Sequence, residues 1–111
     1  MQRKNNDAGP RSGGSAAYTR ERMKIARLFG ANLKMLREVD GKSQDALAIA
    51  ARLHRSEISL LERGERAPSL LTLLILSDAL WVRPDTLLER LPIPKERKPD
   101  PGATRRLRDG G

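Results

Sequence analysis

The stretch Ser43–Gly64, which reads SQDALAIAARLHRSEISLLERG, constrains the fold more than any other part of the chain. At about 100° per residue it forms two short amphipathic helices, separated by a turn near residues 52–54. One arc of the first helix contains Leu47, Ala48 and Ala51, and one arc of the second contains Ile58, Leu61 and Glu62. The stretch therefore predicts two helices that pack on a shared aliphatic core.

The outer face of the second predicted helix has an unusual composition. Five residues share an arc about 140° wide on the helical wheel: Arg55, Ser56, Ser59, Leu60 and Arg63. Two long cations, two hydroxyls and one branched aliphatic side chain suit the base edges and phosphates of a DNA major groove. A solvated surface helix is also rich in cations, so composition alone leaves both interpretations open.

The same stretch resembles the helix-turn-helix of lambda-repressor-like (xenobiotic-response-element, XRE) transcriptional regulators. The matching residues, in fixed register, are Ser43-Gln44, Leu47-Ala48, Ile58-Ser59, Glu62-Arg63-Gly64 and Pro68-Ser69-Leu70. The resemblance extends from about Phe29 to Leu88. It implies an all-α, five-helix DNA-binding domain that inserts the helix His54–Arg63 in the major groove of double-stranded DNA.

The resemblance also implies roles for individual residues. Family members commonly read bases from the positions of Arg55, Ser56, Ser59 and Leu60. We expect contacts with the DNA backbone from Gln44, Lys42, Arg63 and Arg66. Glu62 implies an architectural ion pair with Arg37, which would hold the third helix against the first. These roles describe a sequence-specific transcriptional regulator, and we expect a repressor because a small regulator most simply blocks a promoter.

Three residues of this stretch depart from the family pattern or admit another role. Arg52 stands where glycine is common, because the chain there often takes a left-handed conformation that costs other residues about 1 kcal/mol. Glu57 would repel phosphate unless it accepts from a cytosine amino group, and we expect it to pair with Arg55 or Arg52 instead. His54 would either cap the third helix or face a phosphate.

The residue inventory argues against an enzyme. The chain has no cysteine and one histidine, and no acid is spaced to orient that imidazole as a catalytic triad requires. One histidine and scattered carboxylates do not make a metal site, and no glycine-rich phosphate loop follows a strand. We therefore expect no catalysis, no metal and no cofactor.

A further amphipathic pattern predicts a first helix over Thr19–Val39, with Thr19 as its N-cap and Gly41 at its end. Its core stripe is Ile25, Phe29, Leu33 and Leu36. Gly30 lies inside this pattern and costs a helix about 1 kcal/mol relative to alanine. It therefore indicates either a break in the helix or close packing.

Two more helices are predicted after the helix-turn-helix. Ser69 would cap a fourth helix that runs to about Leu80, and Pro84 would start a fifth that ends near Arg90. The core face of the fourth helix is predicted to be Leu70, Leu73, Leu76 and Leu80.

Apolar residues also lie away from this core face, and such an exposed cluster usually marks a contact surface. They are Leu71, Leu74, Ile75 and Trp81, with Leu88 as a possible addition. We expect a homodimer interface or a docking face for a partner protein; the N-terminal segment folding back would be the alternative cover. A protein-interaction module or an antitoxin that uses this surface is the alternative function.

The formal charge of +8 is concentrated at the two ends of the chain. Residues 1–20 and residues 95–111 each have a net charge of +3, and both segments lack a hydrophobic period. We therefore expect disordered basic segments at 1–18 and 92–111 around a DNA-binding domain at 19–91. The sequence has neither a signal peptide nor an apolar run long enough to span a membrane, so we expect a cytoplasmic, nucleoid-associated protein.

Overall fold

A computed structural model of the chain describes residues 15–95, which contain five helices and no strand. They are α1 (Ser15–Val39), α2 (Gln44–Ala51), α3 (Arg55–Glu62), α4 (Leu70–Ala79) and α5 (Pro84–Leu87). The all-α, five-helix architecture is thus confirmed. No helix in this part of the chain is both long and apolar enough to cross a bilayer.

The chain divides into two compact units. One is Arg22–Ile93, which contains the helix-turn-helix and the core. In the other, the described residues are Ser15–Glu21, which are helical, together with Pro94 and Lys95. Most of the two predicted basic segments, residues 1–14 and 96–111, lies outside the described residues.

Two predicted helix boundaries are wrong. Helix α1 begins at Ser15, so Thr19 lies inside the helix and does not cap it. The helix starts earlier because Ala16 and Ala17 favour helix and no breaker separates them from Thr19. Helix α5 ends at Leu87 rather than near Arg90, and Arg90 takes a positive φ of 67° that no α-helix accommodates.

Serine caps begin α2 and α4 as predicted. The hydroxyl of Ser43 accepts from the backbone N–H of Ala46 at 3.0 Å, and that of Ser69 accepts from Thr72 at 3.1 Å. Each bond satisfies one of the free N–H groups of the first helical turn. His54 occupies the N-cap position of α3, but its side chain makes no capping bond.

Helices α1 to α4 all end in the same paired hydrogen bonds. At the end of α2, the N–H of Leu53 donates to Ala48 at 2.9 Å and that of Arg52 donates to Ile49 at 3.2 Å, which is a Schellman motif. The residues in left-handed conformation at these four ends are Gly41, Arg52, Gly64 and Trp81. Arg52 and Trp81 lack glycine's freedom there and cost about 1 kcal/mol each.

Every helix contributes to one hydrophobic core. Its fully buried side chains are Phe29, Leu33, Leu47, Ile58, Leu61, Leu76 and Leu87. Most of the predicted core residues are buried. The prediction that Leu70 lies in the core is wrong, because this residue is 72% exposed. Ile75, predicted to lie on the surface, is half-buried and packs against the core. Helix α4 is apolar on nearly all sides, so its sequence did not define which arc faces inward.

Gly30 marks a close approach of α1 to the end of α3. A Cβ atom at Gly30 would lie 2.5 Å from the carbonyl oxygen of Glu62 and closer still to that of Leu61. Gly64 makes the reciprocal approach, because a Cβ there would lie 2.7 Å from the Cα of Arg27. Of the two alternatives for Gly30, close packing is therefore the one observed, and α1 continues through it without a break.

Asn32 joins α1 to the end of α5. Its amide nitrogen donates to the carbonyl oxygens of Leu87 at 3.0 Å and Glu89 at 2.8 Å. These bonds satisfy carbonyls that a helix end leaves without intrahelical partners. This contact was not predicted from the sequence, because it links positions more than fifty residues apart.

Substituting Gly30 by alanine tests this close approach. Helix propensity alone would favour alanine by about 1 kcal/mol, but the added methyl group meets backbone carbonyls. We expect Gly30→Ala to lower the free energy of unfolding by about 1–3 kcal/mol, measured by urea denaturation. The control is Ala31→Gly at the next, exposed position, which should cost about 1 kcal/mol through propensity alone. A more stable Gly30→Ala protein would contradict the contact.

Candidate nucleic-acid interface

The five residues predicted on the outer face of α3 do form one surface. They line a single open depression: Arg55, Ser56, Ser59, Leu60 and Arg63. None of them is buried, whereas Ile58 and Leu61 on the other side of the helix are fully enclosed. Helix α3 is therefore anchored by one face and presents guanidinium, hydroxyl and isobutyl groups on the other.

Arg55 forms an ion pair with Asp45, which lies in the first turn of α2. Its Nε atom is 3.3 Å from Oδ1 of Asp45, and both side chains remain largely exposed. The predicted pairing of Glu57 with Arg55 or Arg52 is wrong: Glu57 makes no ion pair with any residue in the described range. Residues two apart on a helix point in different directions, which separates Glu57 from Arg55.

The guanidinium of Arg63 has more partners within the protein than that of Arg55. Its Nε donates to Oε2 of Glu65 at 2.8 Å, and its Nη1 donates to the hydroxyl of Ser59. The hydrogen bond from Arg63 lowers the pKa of Glu65, and the same bond raises the pKa of Arg63. The stability from this pair is therefore present at neutral pH and is lost only as acid protonates Glu65. Arg66 is exposed and makes no ion pair within residues 15–95.

A buried polar network lies beneath this surface. Nε and Nη2 of Arg37 donate to the two carboxylate oxygens of Glu62 at 2.5 and 3.0 Å, and the Glu62 side chain is only 4% exposed. Nη1 of Arg37 donates to the backbone oxygen of Lys42 at 2.7 Å. Bonding to Glu62 raises the pKa of Arg37, against the opposing effect of burial. The structure thus contains the ion pair expected between α1 and α3.

Two residues expected to contact the DNA backbone also have partners within the protein. The amide nitrogen of Gln44 donates to Oε1 of Glu62 at 3.0 Å, which adds the start of α2 to the buried network. The ammonium group of Lys42 pairs with Asp40. Neither bond was predicted from the sequence, and both residues lie at or next to the start of α2.

An apolar face remains exposed beside α4. We define it by Leu71, Leu74 and Trp81, of which Trp81 is 86% exposed. Leu88 is also exposed, but Ile75 belongs to the core and is not part of this face. Leu74 lines an open depression together with Arg52 and Asp78.

The described residues provide no metal site, because no three acidic, histidine or cysteine side chains among them come together.

Comparison with known proteins gives consistent matches. Residues 28–91 match a family model described as a helix-turn-helix domain. Control protein C.SmaI of Serratia marcescens is 38% identical over 68 residues, which cover 61% of this chain and 81% of that protein. Control protein C.BamHI of Bacillus amyloliquefaciens is 41% identical over 66 residues, which cover 59% and 82%. The crystal structure of the restriction-modification controller protein C.AhdI from Aeromonas hydrophila is similar with a TM-score of 0.55 and 40% identity, covering 56% of this chain and 94% of that one.

Substituting Arg37 by alanine tests whether this residue stabilises the fold or contacts DNA. The change leaves Glu62 buried without its charge partner, which typically costs about 3–5 kcal/mol. We expect a clear fall in melting temperature, measured by circular dichroism, with DNA affinity retained well below the transition. The control is Arg83→Ala, which breaks the exposed pair with Asp85 and should change stability by less than about 1 kcal/mol. An unchanged melting temperature with lost DNA binding would show that Arg37 is a contact residue.

Proposed function

We propose that this chain, which belongs to the helix-turn-helix domain family, reads DNA sequence by inserting α3 in the major groove. Membership of the family makes the chain a DNA-binding transcriptional regulator and confirms the resemblance found in Ser43–Gly64. Its site of action would be the nucleoid in the cytoplasm.

The observation that supports major-groove insertion is the surface of α3. Arg55 and Ser56 lie in its first turn, which is the part of a recognition helix that most often reaches base edges. Arg55 would donate to guanine, while Ser59 is small enough to allow close approach and Leu60 would contact a thymine methyl group. The opposite side of α3 is locked in the core, so this surface is the one available to a duplex.

Backbone contacts would come from residues on both sides of α3. Gln44 uses one amide hydrogen on Glu62 and has a second to donate to a phosphate. Lys42 has three ammonium hydrogens and, among residues 15–95, one partner, Asp40. Arg66 is exposed and makes no ion pair within residues 15–95, so its guanidinium would bind a phosphate without losing an acid partner there. Arg63 would add a contact by exchanging Glu65 for phosphate. Such contacts fix the orientation of the protein without specifying sequence.

The similar proteins suggest which genes are regulated. Two are named control proteins, and the similar crystal structure is of a restriction-modification controller protein. We infer that this chain likewise controls a restriction-modification system. Occupation of a promoter by the bound protein would exclude polymerase, which makes repression the simplest outcome.

Removing both arginines of the α3 surface tests the insertion. We expect Arg55→Ala with Arg63→Ala to weaken binding to operator DNA by about 100-fold or more, measured by fluorescence anisotropy at fixed salt. The operator would first be isolated by selection from genomic fragments. Binding by the parent protein should also weaken steeply as salt rises, because phosphate contacts release counterions.

A charge-matched protein provides the control for this experiment. Lys24→Ala with Lys34→Ala removes two exposed cations from α1 and leaves the α3 surface intact. We expect it to reduce affinity for operator and for unrelated DNA by a similar, smaller factor. If the Arg55 and Arg63 substitutions have no greater effect than this control, α3 is not the reading helix.

The apolar face supports assembly as a homodimer. Trp81 takes a left-handed conformation that strains it and is nevertheless almost fully exposed, so its position gains little in a single chain. Helix-turn-helix proteins commonly bind two half-sites about one helical turn apart, which requires a second copy. We therefore propose that a second copy covers Leu71, Leu74 and Trp81.

Sedimentation velocity tests this interface. Leu71→Glu places a charge on the apolar face without disturbing the core, and we expect the sedimenting mass to fall from dimer to monomer. The control is Val39→Glu, which changes an exposed apolar residue at the end of α1. A monomeric parent protein would rule out the homodimer and leave a partner protein as the occupant. A dimer that persists in Leu71→Glu would show that the two copies associate through another surface.

A further inference from the structure

We propose that Asp45 is a positioning residue for sequence reading, which holds Arg55 so that it discriminates bases and binds unrelated DNA less well. This inference rests on the proposed function of α3. Asp45 does not contact DNA in this assignment. It acts through the guanidinium of Arg55, from the first turn of the neighbouring helix α2.

The atoms that form the ion pair determine which N–H groups of Arg55 remain available as donors. Asp45 approaches Nε of Arg55 at 3.3 Å, and no other acid of the described chain pairs with this guanidinium. The two Nη groups at the tip therefore remain available as a pair of parallel donors. A guanine presents O6 and N7 in the geometry that such a pair matches. The ion pair thus leaves free the donors that read guanine.

Arg63 provides an internal contrast. Its Nε and its Nη1 are both used, by Glu65 and by Ser59, and Nη2 lies 3.4 Å from the second oxygen of Glu65. Each of its three guanidinium nitrogens thus has a partner, and neither Nη group is wholly free to act in a parallel pair of donors. Arg55 alone on this surface is both oriented by an acid and free at its tip.

The charge of Asp45 explains why the protein would bind unrelated DNA less well. Without Asp45, a flexible Arg55 would pair with any phosphate of any duplex, which raises affinity for all sequences. With it, the pair Arg55–Asp45 has no net charge and gains little from a phosphate alone. A guanine edge offers two neutral acceptors, so contact with it does not require the ion pair to break. Asp45 therefore lowers binding to unrelated DNA more than binding to the operator.

The test compares the parent protein with Asp45→Asn, which keeps the shape and removes the charge. Affinities would be measured by fluorescence anisotropy for the operator, for its single base-pair variants and for a scrambled duplex. We expect the scrambled duplex to bind several-fold more tightly and the ratio of operator to scrambled affinity to fall by about tenfold. Asp45→Asn should lose discrimination between bases at the same operator position at which Arg55→Ala loses it.

Asp85→Asn is the matched control, because it removes one acid from an exposed arginine pair in the first turn of α5. It makes the same change in net charge and should leave the affinity ratio unchanged. In the Arg55→Ala background, Asp45→Asn should also leave the ratio unchanged. A merely structural Asp45 would lower the melting temperature and weaken binding to both duplexes together.

The outcomes separate this inference from the function on which it rests. A parent protein that binds operator and scrambled duplexes equally would overturn the reading of DNA by α3. A parent that discriminates between them, with Asp45→Asn indistinguishable from Asp85→Asn, would overturn the role of Asp45 alone.

Discussion

The buried ion pair between Arg37 and Glu62 is the interaction on which the rest of the structure depends. Glu62 ends α3, and its two carboxylate oxygens accept from Arg37 of α1 and Gln44 of α2. Arg37 also binds the carbonyl oxygen of Lys42 in the loop before α2. One carboxylate thereby fixes three helices relative to one another. A buried charge of this kind contributes less to net stability than to a single defined arrangement, because its alternatives leave it unpaired.

Backbone geometry supports the same arrangement from two sides. Gly30 and Gly64 allow α1 and the end of α3 to approach more closely than side chains would permit. On the other side, Arg52 takes the left-handed conformation that closes the turn between α2 and α3. The strain at Arg52 is accepted because its two Schellman bonds satisfy carbonyls of α2 that would otherwise be unpaired. These contacts involve residues outside the outer face of α3, and together they orient that face toward solvent.

Local signals in the sequence predicted most of the fold. Serine caps, glycine stops and apolar periodicity located α2, α3 and the start of α4 within one or two residues, because each signal acts over a single turn. Apart from the start of α1 and the end of α5, the missed features depend on tertiary contacts. The uniformly apolar α4 did not reveal that Ile75 faces the core and Leu70 does not, and nothing near Arg55 in sequence indicated Asp45 as its partner. The arc containing Arg55 and Ser59 was predictable, whereas the acids that restrain its arginines were not.

The distribution of charge gives those acids their importance. Of the formal charge of +8, residues 1–20 and 95–111 account for +3 each, so the intervening residues have a net charge of only +2. A domain this close to neutral has a weak general attraction for DNA, and its affinity must come from individually placed cations. Pairing those cations with acids lowers the attraction for phosphate further. Selectivity then depends on the acceptors that each paired guanidinium meets: a neutralised pair is attracted only weakly by the charge of a phosphate, whereas a guanine edge still offers two acceptors in matching geometry.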